Sequence, residues 1–215
     1  MKSAEKYTVE MDRTTALIAL GGNLPGPGRT VAQTLVAALA ALVREGFGIV
    51  AVSRFHRSPA YPAGSGPDYV NACARLQTAD LTPAEVLAAL HRVEVAFGRN
   101  RSTRWAARGL DLDLLAMGDT IAPDAATLAQ WIALPPTDQA RLAPETLILP
   151  HPRLAERAFV LIPLFEIAPR WRHPMLGQSV AEMLAALPAA EKAALSPICA
   201  PANGDSMLVK GNTSA

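Results

Sequence analysis

The sequence has almost no net charge. Its 20 Lys and Arg are balanced by 19 Asp and Glu, a formal +1, and charged residues make up only 18% of the chain. That balance excludes bulk attraction to nucleic acid or to a membrane surface, so any electrostatic work must be local. Cysteine is equally scarce. Cys73 and Cys199 stand far apart, which excludes a disulfide framework and a thiolate zinc site. Both thiols are expected to be reduced, with Cys73 as core filler. Long apolar runs are missing near the start, where Ala16 to Leu20 is too short for a signal-peptide core or a membrane span. Cytoplasmic residence is the resulting expectation. The glycine-rich segment Gly21-Gly22-Asn23 lacks the Lys-Ser/Thr ending of a Walker A loop and is not a GxGxxG turn.

What is present is 215 residues of half-apolar sequence, enough for one ordinary domain with a real core. We assign that domain to residues 14–198, with flexible termini at 1–13 and 199–215. Thr15 to Leu20 reads as a short apolar strand running into a glycine-proline loop over Gly21–Gly28. Thr30-x-x-Gln33 has the form of a capping box, and Leu35, Leu39, Leu42 and Val43 mark a helix that Gly46 ends. Ile49 to Phe55 reads as a second strand, and Ser58 to Asp68 as a long surface loop. Tyr69 to Thr78 alternates cleanly, with Val70, Ala72, Ala74 and Leu76 on one face. Thr82, Pro83 and Glu85 suit the N-cap, N1 and N3 positions of a second helix, which Gly98 stops. Leu110 to Leu114 reads as a fourth strand.

The order β-α-β-β-α-β predicts an α+β, ferredoxin-like core: a four-stranded antiparallel sheet with both helices on one face. Asp119 to Thr146 reads as a partly helical insertion, and Val180 to Leu187 as a short helix.

Asp111 and Asp113 stand at i and i+2 in that fourth strand. A strand has a side-chain period of two, so both carboxylates project from one face while Leu110, Leu112 and Leu114 enter the core. Like charges this close repel unless neutralised, and a hard divalent cation bound through carboxylate oxygens does that. Taken alone, two aspartates equally fit the open, solvated side of a sheet. The sequence just before them argues for more. Arg92, Arg99, Arg101, Arg104 and Arg108 fall within 17 residues, with Trp105 among them and no lysine in the group. Guanidinium forks bind phosphate oxygens in pairs and stack on rings. Arginines leading into paired carboxylates suit a polyphosphate, with metal on some oxygens and Arg on the rest.

These residues carry a resemblance. The chain, over roughly Ala16 to Pro169, resembles the 6-hydroxymethyl-7,8-dihydropterin pyrophosphokinase family. The similarity rests on Ala19-Leu-Gly-Gly-Asn-Leu24, Pro67-Asp-Tyr-Val-Asn71 and the block from Gly98 through Arg99, Arg101, Arg104-Trp105, Arg108 and Asp111-Leu-Asp113 to Leu114. It continues through Leu149-Pro-His-Pro152, Arg157-x-Phe159 and Pro163-Leu-Phe-Glu-Ile-Ala-Pro169, all in the family's order.

The resemblance implies an enzyme that transfers pyrophosphate from ATP to the hydroxymethyl group of 6-hydroxymethyl-7,8-dihydropterin in folate biosynthesis, releasing AMP and using two Mg²⁺ ions. It implies Asp111 and Asp113 as ligands of both ions, and Arg99 and Arg108 as catalytic arginines. It implies ATP contacts at His91, Glu94, Arg101, Trp105, Leu114, His151 and Arg157. For the pterin it implies Ser58, Pro59, Tyr69, Asn71 and Phe159. An Asn amide offers donor and acceptors to a pteridine edge, and aromatic rings stack on a flat one. Without the family, Phe159 also reads as core. The chain departs from the family pattern at Gly22 (usually Ser), Ala106-Ala107 (usually Gly-Pro), Gly109 (usually a hydroxyl residue) and Thr146 (often basic). The third strand lacks the aromatic pattern of an RNA-binding sheet, so neither nucleic acid nor membrane is expected as a partner. A monomer is the expectation for assembly, with a dimer left open.

Overall fold

The computed structural model describes residues 14–60, 64–98 and 109–198. The chain runs β1 (Thr15–Gly22), α1 (Val31–Arg44), β2 (Gly48–Val52), β3 (His56–Ser58), β4 (Tyr69–Gln77), α2 (Pro83–Ala96) and β5 (Asp111–Met117). It continues with α3 (Ala125–Ile132), α4 (Pro136–Arg141), α5 (Ala158–Ile167), α6 (Val180–Ala186), α7 (Ala189–Ala193) and β6 (Ser196–Pro197). The capping boxes form as the local sequence dictates. Thr30 and Gln33 close α1, and Thr82 and Glu85 close α2. Gly98 leaves α2 with a φ of +86°, a backbone region that favours glycine.

The sheet has six strands, not the expected four. Its order is β5-β1-β4-β3-β6, with β2 also pairing β4, and every pairing between strands is antiparallel. The strand expected over Ile49 to Phe55 ends at Val52 as β2, and a separate strand, β3, begins at His56. Ser53 is the physical cause. Its hydroxyl accepts the Cys73 N–H at 2.9 Å, taking the place of a backbone carbonyl in the ladder. The second added strand is β6, which pairs with β3.

Both expected helices, α1 and α2, do lie on one face of the sheet, and the later helices α5 and α6 cover the other. On the first face, Leu35, Ala38 and Leu42 of α1 and Val86, Leu90 and Val93 of α2 pack on Ile18, Leu20, Ala74, Leu76, Leu112 and Leu114. On the second, Val160, Leu161 and Leu164 of α5 and Val180 and Met183 of α6 pack on Leu17, Cys73, Leu115 and Ala116. Trp171 closes this second core by donating its indole N–H to the Gly118 carbonyl at 2.9 Å. The insertion is partly helical through α3 and α4, and α3 is anchored by the fully buried Leu128. No helix among the described residues is long and apolar enough to cross a membrane.

Candidate active site

Strand register brings four positions into one row across the sheet. His56 on β3 lies opposite Asn71 on β4, Asn71 opposite Gly21 on β1, and Gly21 opposite Asp111 on β5. Residues directly opposite in a ladder share a face. The next row on that face is Cys73, Ala19 and Asp113. Cys73 lies under α5, with its Sγ 3.6 Å from the Val160 carbonyl. The row of Asn71 and Asp111 lies one pleat nearer the end of the sheet, and its His56 meets Glu166 in the last turn of α5.

Gly21 keeps the middle of this row open. A Cβ there would stand 3.5 Å from Asn71 Oδ1. With no side chain present, a floor two strand spacings wide, roughly 10 Å, separates the Asn71 and Asp111 backbones. Asn71 is 6% exposed and donates from Nδ2 to Ser58 Oγ at 2.9 Å, which leaves Oδ1 over Gly21. Asp111 and Asp113 are partly exposed, while Leu110, Leu112 and Leu114 are 2–3% exposed on the other face. The side chain of Leu114, expected at the nucleotide, is therefore in the core, on the opposite face from Asp113.

Two elements secure the outer edge of β5. Glu94 of α2 is 0% exposed, and its Oε1 accepts the Leu112 N–H at 2.8 Å, between the two aspartates. Below it, the Leu115 carbonyl accepts the His151 N–H at 2.8 Å. His151 Nδ1 in turn accepts the Arg153 N–H at 3.1 Å. Burial, with the Arg157 and Arg153 cations, pushes the His151 pKa down to about 3, against the pull of Asp111. The ring is thus neutral, with its proton on Nε2 as a donor.

Arg157, at the N-cap of α5, places NH1 4.0 Å from Asp113 Oδ2. Its guanidinium carbon lies 5.6 Å from the Phe159 ring centroid, a cation–π distance. Phe159 is 39% exposed, so it is a rim residue and not core. Tyr69 is partly buried and lies opposite Ser58. Pro59 is exposed and His91 is partly exposed. Arg92 binds Glu45 at 2.7 Å and ties α2 to the end of α1. Arg99, Arg101, Arg104, Trp105 and Arg108 lie outside the described residues.

Two close approaches bind the first loop to its neighbours. A Cβ on Gly22 would stand 2.6 Å from the Gly109 carbonyl oxygen, so glycine is required for that contact. Asn23, 4% exposed, donates to the Pro67 carbonyl at 3.3 Å. Sequence reasoning gives no role to Gly21, and none to Glu166, although Glu166 lies within one of the segments that carry the resemblance. Its partners Arg54 and His56 have no local signature, because only the tertiary fold brings them to it.

Two same-face carboxylates fit a hard cation such as Mg²⁺, which takes one or two protein carboxylates and fills its octahedron with phosphate oxygens and water. Among the described residues no group of three or more His, Cys, Asp or Glu could hold a metal without other donors.

The family model for 7,8-dihydro-6-hydroxymethylpterin-pyrophosphokinase matches residues 17–169. A 2-amino-4-hydroxy-6-hydroxymethyldihydropteridine pyrophosphokinase of Synechocystis is 36% identical over 169 residues, covering 79% of this chain and 74% of that one. Its counterpart from Pseudomonas aeruginosa is 37% identical over 172 residues, covering 80% and 90%. Among solved structures, wild-type HPPK-DHPS of Plasmodium falciparum superimposes with a TM-score of 0.55 at 13% identity. That match covers 80% of this chain, which spans only 44% of the other, and at such identity it shows the fold alone. By the family match over most of its length and by these relatives, the chain belongs to the 7,8-dihydro-6-hydroxymethylpterin-pyrophosphokinase family.

Proposed function

We propose that the chain transfers the pyrophosphoryl group of ATP to the hydroxymethyl oxygen of 6-hydroxymethyl-7,8-dihydropterin, giving AMP and the pterin diphosphate. The observation that carries this reading is the row Asn71–Gly21–Asp111. The Asn71 amide and the Asp111 carboxylate share one open floor in a chain of this family, which supports reading the first as a pterin contact and the second as a metal ligand.

In this reading Asp111 and Asp113 hold Mg²⁺, as two ions. Bound there, Mg²⁺ neutralises triphosphate charge and polarises the hydroxymethyl oxygen. Arg157 and the Nε2–H of neutral His151 bind phosphate oxygens beside the carboxylates. Both are donors, and neither needs to change protonation during turnover. Glu94 acts on the nucleotide side by holding β5 at Leu112, which fixes where both aspartates point. His91 lies on the same helix and contributes a nucleotide contact.

Asn71 reads the pteridine edge with Oδ1, while Ser58 orients its amide. Tyr69 and Phe159 stack on the ring, and Pro59 borders it. Arg99 and Arg108 stabilise charge on the transferred group, a contribution of the size of an oxyanion donor. Arg101 and Trp105 close over the nucleotide, which excludes water from competing with the hydroxymethyl group. The strand order β5-β1-β4-β2, with α1 and α2 on one face, supports a ferredoxin-like core elaborated by β3 and β6. The domain is residues 14–198, working as a cytoplasmic monomer.

The test is AMP formation measured with and without the pterin, for the parent chain and for Asp111→Ala. The reading requires AMP release that depends on the pterin and is abolished by the substitution at saturating Mg²⁺. Near-normal turnover of the variant would overturn the metal assignment, and AMP release indifferent to the pterin would overturn the acceptor.

A further inference from the structure

Glu166 is charged, mostly buried and outside every role assigned above. Its Oε2 accepts the Arg54 backbone N–H at 2.8 Å. Its Oε1 accepts Arg54 Nε at 2.9 Å and Arg54 NH2 at 2.7 Å, and His56 Nε2 stands 3.0 Å from the same oxygen. One carboxylate on α5 thus collects four contacts from β3 and its lead-in. The Arg54 side chain is 68% exposed, but that of His56 is 4% exposed and that of Glu166 19%, so the His56 contact is not an ordinary surface pair. Burial works against the Glu166 charge, but the Arg54 and His56 hydrogen bonds outweigh it and hold the carboxyl below its usual value.

Its location gives the clasp a specific use. His56 is the neighbour of Asn71 in the row that includes Gly21 and Asp111, and Ser58, two residues on, accepts the Asn71 amide. At the other end of the helix stands Phe159. Phe159 and Glu166 are seven residues apart, so they share one stripe of α5 about 10 Å apart along its axis. The helix does not need the clasp to stay on the sheet, because Val160, Leu161 and Leu164 already bury it against Leu17 and Cys73. Apolar packing of this kind is non-directional and does not by itself tie the helix to one strand residue. Four hydrogen bonds of fixed length to β3 and its lead-in resist sliding well.

We infer that Glu166, clasped by Arg54 and His56, is a positioning residue that sets the gap between Phe159 on α5 and Asn71 on β4, and so governs pterin recognition without touching the substrate. The inference rests on the proposed reading that Asn71 and Phe159 hold the pterin. The clasp acts across the pterin slot and lies on the far side of it from Asp111, so its loss should be felt in pterin affinity far more than in ATP affinity.

The experiment is steady-state kinetics of Glu166→Gln and His56→Gln, with KM for the pterin and for MgATP determined separately. Pterin binding is also followed by fluorescence titration in the presence of a non-hydrolysable ATP analogue. Glu166→Gln keeps the volume but loses the charge, and charge-assisted bonds of this kind make a rise of about tenfold in pterin KM the expected result. MgATP KM should stay within roughly twofold, as for a site with no shared partner. His56→Gln trades the imidazole contact for a neutral amide one of less fixed geometry and leaves the three from Arg54, so it keeps the inference testable if Glu166→Gln folds poorly. Its pterin KM should rise about threefold, with the same indifference to ATP. A loss shared equally by both substrates, or no loss in either variant, overturns the inference. Phe159→Ala and Asn71→Ala separate the two levels. If these leave pterin affinity unchanged, the slot itself is misassigned and the inference falls with it. If they weaken it while Glu166→Gln and His56→Gln do not, only the clasp fails.

Discussion

Replacing Glu94 with alanine removes the carboxylate that holds the Leu112 N–H at 2.8 Å. Glu94 is 0% exposed and Leu112 2%, so water cannot readily replace the lost acceptor. A buried N–H left unpaired costs about 1–3 kcal/mol, and the deleted side-chain atoms leave a cavity costing a further kcal/mol or so. A total of about 2–4 kcal/mol is expected. With a urea slope of about 2 kcal/mol/M, the unfolding midpoint should fall by about 1–2 M. Glu94→Gln retains an acceptor oxygen of the same reach and should lose less than about 1 kcal/mol. Leu112 lies between Asp111 and Asp113, so the alanine variant should also need more Mg²⁺ to reach half its maximal rate. Urea unfolding followed by circular dichroism and a Mg²⁺ titration of AMP formation check both parts. A Glu94→Ala variant within 0.5 kcal/mol of the parent, or a Gln variant as damaged as the Ala one, would refute the reasoning; the 0.5 kcal/mol margin is about the scatter of ordinary surface substitutions.

Gly22→Ala would put a Cβ 2.6 Å from the Gly109 carbonyl. The displacement passes within two residues to Asp111, and kcat should fall at least about tenfold, given that 1 Å of misplacement can cost 10²-fold. Unchanged kcat would mean that Gly109 moves freely. His173 is 1% exposed, its Nδ1 accepts the Met175 and Leu176 N–H groups, and burial lowers its pKa to about 4. The unfolded chain therefore binds this proton more readily between pH 6.5 and 4, and stability should fall with pH across that window by up to about 1.4 kcal/mol per unit. His173→Asn should flatten the part of the stability profile due to this residue in pH-dependent urea unfolding. Burial, with the nearby Glu166 carboxylate, pushes the Cys73 thiol well above its ordinary value. In a Cys199→Ser background an aromatic disulfide reagent should label Cys73 only as fast as the protein unfolds, and rapid native labelling would contradict its burial.

Features encoded by near neighbours are legible in the amino-acid sequence. Thr30 with Gln33 and Thr82 with Glu85 satisfy helix ends within one turn, and the two-residue spacing of Asp111 and Asp113 fixes their common face. Features set by distant partners are not. The break at Ser53 depends on Cys73, twenty residues away in sequence, and Arg92 pairs with Glu45 at the end of another helix. The second face of the sheet misleads for a different reason. Tyr69, Asn71, Cys73, Arg75 and Gln77 alternate with the core residues and read as a polar, open surface. Yet α5 covers Cys73, and its own sequence is apolar on nearly every side with Pro163 inside it, so it shows no helical period. The same helix sets the margin of the site. For that reason the aspartates can be found in the sequence, while the clasp at Glu166 cannot.

The most direct measurement follows the phosphorus. ATP labelled separately in its β- and γ-phosphates is incubated with the enzyme, Mg²⁺ and 6-hydroxymethyl-7,8-dihydropterin, and the products are separated. Both labels should appear on the pterin, with AMP as the unlabelled nucleotide product. Recovery of labelled ADP, with a single phosphate on the pterin, would contradict pyrophosphoryl transfer at the Asp111–Asp113 floor.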